Sequence, residues 1–240
     1  SRNNGDTIPK LVEDRLMFQL ENGTVQYVTL NAYSWDAILM KDVTLKKDSV
    51  SSNVKGKPVV VYGKLTVDTN AVVTIAKGTT MYFHSNAGID VKGSLKIEGQ
   101  KNEENKKNEV TLRCDRLDRM VSNLTYDNNP GQWGGIHFYD ISHDNSFDYV
   151  DIHGATDAIV CDSAKNQDQT MLTLKHTTIH NTKGVGLEAT SCKIVMENTQ
   201  ISNTFDDCVK LLGGNVTMTR CTIAQYYPFD SARGAAMSFL

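Results

Sequence analysis

Leu172-Thr173-Leu174, Ile194-Val195-Met196 and Val216-Thr217-Met218 are three apolar-x-apolar triplets set 22 residues apart. Beyond each triplet, at a constant offset, stands an isoleucine (Ile179, Ile201 and Ile223), again at a spacing of 22. Ile179-His180-Asn181-Thr182 is answered by Ile201-Ser202-Asn203-Thr204, and Leu187 by Val209. A fixed period of this size marks a repeat architecture. Alternation inside a triplet puts Leu172 and Leu174 on one side of a strand and Thr173 on the other. Two or three short strands per copy cannot bury an apolar face alone, but copies stacked at ~4.8 Å and hydrogen-bonded to one another can. The pattern predicts an all-β solenoid, a single-stranded parallel β-helix with ~22-residue coils.

That register makes specific neighbours. Lys175 falls beside Glu197 and Glu188 beside Lys210, two opposite-charge pairs worth ~0.2–1 kcal/mol each. Asn181 and Asn203 fall one above the other at a turn, where amides can form a hydrogen-bonded ladder.

Upstream the period loosens. Ile152-His153-Gly154-Ala155 aligns with Ile179-His180-Asn181-Thr182 at an offset of 27, which places an insertion near 163–169. Gly63-Lys64-Leu65-Thr66-Val67 recurs as Gly93-Ser94-Leu95-Lys96-Ile97 at an offset of 30, with strands at Val72–Ile75 and Gly88–Val91 between them. The run 100–108 reads as a solvated loop, and 113–131 as a longer excursion closed by Pro130-Gly131. The expected organisation is an N-terminal cap over 1–57, with strands at Val25–Leu30 and Ala37–Leu45, followed by β-helix over 58–240.

Composition agrees. Thr, Val and Asn supply 63 of 240 residues (23, 21 and 19), against 4 Pro. Thr and Val favour strands through their branched Cβ, and Asn tolerates the positive φ of tight turns. A 40% hydrophobic share with 22% charged residues is enough for a core. A net charge of −3 and a pI near 6.1 leave no electrostatic footprint for nucleic acid or an anionic membrane. Apolar runs such as Val59-Val60-Val61-Tyr62 are far too short to span a bilayer, so no transmembrane segment is expected. The chain begins at Ser1 with no charged or apolar leader, so the expectation is that any export signal was removed or never existed. Five cysteines without metal-site spacing read as small buried hydrophobes.

Asp115-Arg116-Leu117-Asp118 through Tyr126-Asp127, then Pro130-Gly131-Gln132-Trp133-Gly134-Gly135-Ile136, carry a resemblance. So do Val61-Tyr62-Gly63, Thr74-Ile75, Gly78-Thr79-Thr80, Tyr82-Phe83-His84, and Gly213-Gly214 with Arg220-Cys221-Thr222-Ile223-Ala224. Over roughly 35–240 the chain resembles uncharacterised right-handed parallel β-helix surface proteins of Bacteroides-type bacteria, many of them predicted lipoproteins. The resemblance implies a right-handed helix and an exported location, at the cell surface, anchored in the outer membrane, or in the periplasm; it brings no reaction. Ala235-Ala236-Met237 begins another coil just before Leu240, as expected of a truncated chain or an unusually short member. Exposed Met237 and Phe239 there would invite self-association.

Candidate site residues fall into three groups. Asp157 aligns with Gly184 and then Asp206, placing two acids two coils apart at roughly 9–10 Å, near the ~6.5–9.5 Å of inverting glycosidases. Asp207 beside them could help to hold a cation. The competing role for all three is that of turn residues. His153 and His180 align on adjacent coils with rings ~5 Å apart, but the pattern supplies no third metal ligand, so no metal site is expected. Trp133, Tyr226 and Tyr227 could offer flat faces to sugar rings; Tyr226 and Tyr227 interrupt the repeat, and the competing role for Trp133 is to plug a coil corner.

No phosphate-binding loop, dinucleotide fingerprint, nucleophile elbow or H-E-x-x-H occurs, so nucleotide-dependent chemistry and serine hydrolysis are poorly supported. The acceptor pattern for N-glycosylation occurs at Asn22, Asn123 and Asn215, and carries little weight given the bacterial source that the resemblance implies. The expected function is that of a non-catalytic surface β-helix that binds a polysaccharide or surface glycan, or acts as a stalk, with no cofactor. The alternative is a polysaccharide lyase or glycoside hydrolase using Asp157, Asp206 and Asp207, with Ca2+ entering only in the lyase case.

Overall fold

The computed structural model describes residues 9–46, 49–50, 57–104 and 106–240, with Ser49 and Val50 described by backbone alone. Parts of the expected cap (1–8, 47–48 and 51–56) and Asn105 of the polar loop lie outside the described residues. The chain folds as a parallel β-helix. Its strands form a 14-stranded sheet that wraps two faces and a 7-stranded sheet that makes the third.

The triplets sit where their period places them. Leu172, Ile194 and Val216 are direct partners on adjacent coils, and so are Leu174, Met196 and Met218. Ile179, Ile201 and Ile223 stack on the first face, and Leu187 with Val209 on the second. In the coil of 178–197 Ile179, Leu187, Ala189, Ile194 and Met196 point inward and are buried, while Val195 takes the outward place between Thr173 and Thr217. The core of such residues continues from Leu45 to Leu211, with Phe83, Trp133, Phe138 and Phe147 as its largest side chains.

Corners are set by residues that accept positive φ. Tyr149, His176, Asn198 and Arg220 follow the third-face strands of successive coils, at φ values of 50°, 45°, 48° and 53°. Between the first and second faces the corner column runs Gly154, Asn181, Asn203, also left-handed. There Asn203 Nδ2 donates to Asn181 Oδ1, the expected amide ladder. The two outward ion pairs form as well, Lys210–Glu188 at 3.1 Å and Lys175–Glu197 at 3.7 Å.

Within the N-terminal segment, Ile38–Leu45 lies parallel to Val59–Val67 and joins the stack as a coil strand. Both strands turn from the first face to the second without a break, at Asp42 and Gly63. Upstream, Lys10–Gln19 and Val25–Ser34 form an antiparallel hairpin that is exposed over nearly its whole length. At the other end Met237–Phe239 pairs with Val209–Leu211 and begins a further coil, with Phe239 exposed. No helix among the described residues is long and apolar enough to cross a membrane. All five cysteines are free, and four of them are buried.

Candidate functional site

The three acids singled out in the sequence are spent on the scaffold. Ile159, Leu187 and Val209 are stacked partners, so the residues two places earlier, Asp157, Val185 and Asp207, share one column. The partner of Asp157 two coils on is therefore Asp207 and not Asp206, because the arc between the first and second faces gains one residue in the coil of Asn181. Asp157 Oδ1 accepts the backbone N–H of Val185 at 3.0 Å, and Asp207 Oδ1 that of Ala235 at 2.7 Å. Asp207 Oδ2 also accepts the Ser238 hydroxyl, and Asp206 Oδ1 accepts the N–H of Asp207 at 2.9 Å. Each carboxylate ties down a turn, two of them on the next coil.

The aromatic candidates separate. Trp133 is buried, stacked on Phe83 at 4.3 Å, and donates Nε1–H to the His153 carbonyl at 2.8 Å. It closes the coil after the excursion and offers no face to solvent. Tyr227 is also buried, packed edge-on against Phe205 and Phe229. Tyr226 is exposed, its hydroxyl 3.4 Å from Ser202 Oγ.

The densest group of functional side chains lies outside the first face. Because alternate strand residues point outward, the partners Tyr82 and Arg113, and the partners His153 and His180, form one outward column. Asp151 lies two residues before His153 on the same strand, hence on the same side. His153 and His180 stack with ring centroids 4.9 Å apart. His153 Nδ1–H donates to Asp151 Oδ1 at 2.5 Å and Nε2–H to Asp127 Oδ1 at 2.8 Å. Asp127 comes from the excursion, in the 3-10 turn Tyr126–Asn128, and the same Oδ1 also pairs with Arg113 Nη2 at 2.8 Å. His180 Nε2 lies 3.5 Å from Asp151 Oδ1.

A ring with a carboxylate at each nitrogen must donate from both, so His153 is an imidazolium. Burial opposes that charge, but the hydrogen bonds from Asp127 and Asp151 outweigh it and push the pKa up to about 9. The same balance, with burial opposing and the His153 hydrogen bond prevailing, holds Asp151 and Asp127 below the usual carboxylate range. His180 adds to the effect at Asp151, and Arg113 to that at Asp127. Burial raises the Tyr82 hydroxyl, against the Arg113 guanidinium 5.4 Å from its ring.

Next to this cluster, at the N-terminal end of the first face, lies an open groove of about 810 Å³, lined by Tyr33, Trp35, Tyr62, Asp115, Arg116 and Arg119 among others. That volume is within the ~300–1,000 Å³ of small-molecule sites. Its floor comes from the coil strands, and its walls from the base of the hairpin and the start of the excursion. Tyr62 stacks on His84 at 4.5 Å, and His84 pairs with Asp115 at 2.7 Å. Trp35 leans on Tyr82 at 4.6 Å, which links the groove to the His–Asp cluster through Arg113. Arg116 is bidentate on Asp118 and lies 3.8 Å over the Tyr126 ring.

No protein-family model, curated protein or solved structure matches this chain.

Of the site residues, the sequence reading had the His153–His180 stack and missed Asp151, Asp127 and the groove. The signal for Asp151 was present: an acid and a histidine two apart on a strand share a face.

Proposed function

We propose that this chain is a non-catalytic, exported β-helix that binds a glycan in the first-face groove. The groove carries the reading. Tyr33, Trp35 and Tyr62 present aromatic surface on which sugar C–H groups pack, and Asp115, Arg116 and Arg119 supply hydrogen-bond partners for hydroxyls along its edge. Weighing against catalysis is the engagement of Asp157, Asp206 and Asp207 with backbone amides, which leaves them as turn braces. The exported location, at the cell surface or in the periplasm, rests on the resemblance around Pro130-Gly131-Gln132-Trp133-Gly134-Gly135.

A glycan array run beside an assay for reducing ends and unsaturated products tests the reading. Wild-type protein is expected to bind a defined glycan without turnover. Trp35→Ala should weaken that binding at least tenfold, and Tyr226→Ala, outside the groove, should leave it unchanged. Turnover that disappears in Asp206→Ala would establish the lyase or hydrolase instead. Unchanged binding by Trp35→Ala would exclude the groove.

A further inference from the structure

We propose that Asp151, His153 and His180 bind one divalent transition-metal ion, with Zn2+ the representative. Each offers one ligand atom, and the three atoms lie within 4.8 Å of one another; Asp151 Oδ1 stands 2.5 Å from His153 Nδ1 and 3.5 Å from His180 Nε2. The inference is independent of the glycan reading, since the ion alone is the ligand.

Three observations carry it. First, the ligands stand on stacked strands rather than on loops. Asp151 and His153 share one outward strand face, and His180 is the direct partner of His153 on the next coil. Rigid elements hold a ligand set more tightly than loops do. Second, the spacing suits a common ion. With metal–nitrogen bonds of about 2.1 Å, each ring centroid would stand roughly 3.2 Å from the metal, and centroids 4.9 Å apart then subtend about 100°. Asp151 Oδ1 and His153 Nδ1 touch at 2.5 Å and must part to about 3.3 Å to share the ion; the two ring planes differ by 23°, so one ring must also turn to point its lone pair at it. That ring is His180, whose side chain is 27% exposed against 9% for His153.

Third, the far side of His153 is already braced. Its Nε2–H donates to Asp127 at 2.8 Å, and Arg113 holds Asp127 in turn. A carboxylate on the outer nitrogen is the usual support of a metal-ligating imidazole, fixing its tautomer and orientation. On binding, the ion replaces the proton that His153 Nδ1 directs at Asp151, and that proton leaves to solvent.

Two imidazoles and one carboxylate select Zn2+ and its transition-metal neighbours rather than Ca2+, which seeks six to eight oxygens. Solvent reaches the cluster over Asp151 and His180, leaving a fourth position for water.

The test uses the tag-free, chelator-treated chain. Co2+ titration reads visible absorption bands of tetrahedral coordination, and Zn2+ affinity is read by competition with a chromophoric chelator. One ion per chain is expected. His180→Ala and Asp151→Asn should each weaken Zn2+ at least tenfold, and Asp127→Asn by about 10–100-fold with the stoichiometry kept. Added Zn2+ should raise the Tm of the wild type and not that of His180→Ala, whose metal-free Tm serves as the check on folding. Absence of the Co2+ bands, or Zn2+ affinity unchanged in both His180→Ala and Asp151→Asn, would overturn the proposal.

Discussion

Between residues 172 and 219 the solenoid repeats without interruption, whereas the coil that begins at Val110–Cys114 leaves the stack after Asp115 and rejoins it over 131–134, just before Ile136–Phe138. In the regular stretch outward groups pair with their counterparts one coil away, Lys210 with Glu188 and Asn203 with Asn181. Such pairs hold the register and leave little chemistry over. Where the chain departs, unlike side chains meet. Asp127 arrives from 26 residues before His153 to complete an ionic cluster around that buried ring, and 115–119 walls a groove that the coils alone would leave as a flat face. Repetition builds the scaffold and the interruption builds the site.

The largest test of this contrast is Trp133→Ala. Trp133 is the buried plug that seats the returning excursion, so its removal should cost about 3–5 kcal/mol in urea unfolding. A loss below ~1 kcal/mol would mean that the excursion is only draped over the helix. Alkaline pH comes next. His153 has its pKa raised from 6.5 to about 9 in the folded chain, so its contribution is complete below pH 6.5 and is lost as pH rises to 9. The Tm of chelator-treated protein should therefore fall across that window, and Asp127→Asn should flatten the fall. A profile identical in wild type and variant would detach the excursion from the cluster.

A smaller effect is expected where Asp157 braces the regular part. Asp157→Ala removes the acceptor for the Val185 N–H and should cost about 1–2 kcal/mol, read by urea unfolding, with glycan binding intact. Loss of binding in this variant would return Asp157 to the site. The smallest is Lys210→Ala, a half-exposed pair one coil from its partner, expected to cost no more than ~1 kcal/mol and less in high salt.

How much was legible follows the same division. A strand's inward and outward positions depend on alternation over a few residues, so the triplets at 172, 194 and 216 revealed coil length, register, ion pairs and the Asn ladder. Counting failed where an arc changed length. One added residue in the coil of Asn181 moved the partner of Asp157 from Asp206 to Asp207, and no local signal marks such an addition. Asp151 was readable from its place two residues before His153, because period two is a local property.

Asp127 beside His153, and Trp35 and Tyr62 beside Asp115, were not readable. Their meeting depends on how an irregular excursion and a hairpin pack back onto the helix, a matter of three-dimensional closure over long sequence separations that no periodicity records. The linear order of residues thus specified the solenoid and the use of Thr, Val and Asn within it. Packing of the non-repeating segments settled where charge is buried, where a groove opens, and which acids were left to brace turns.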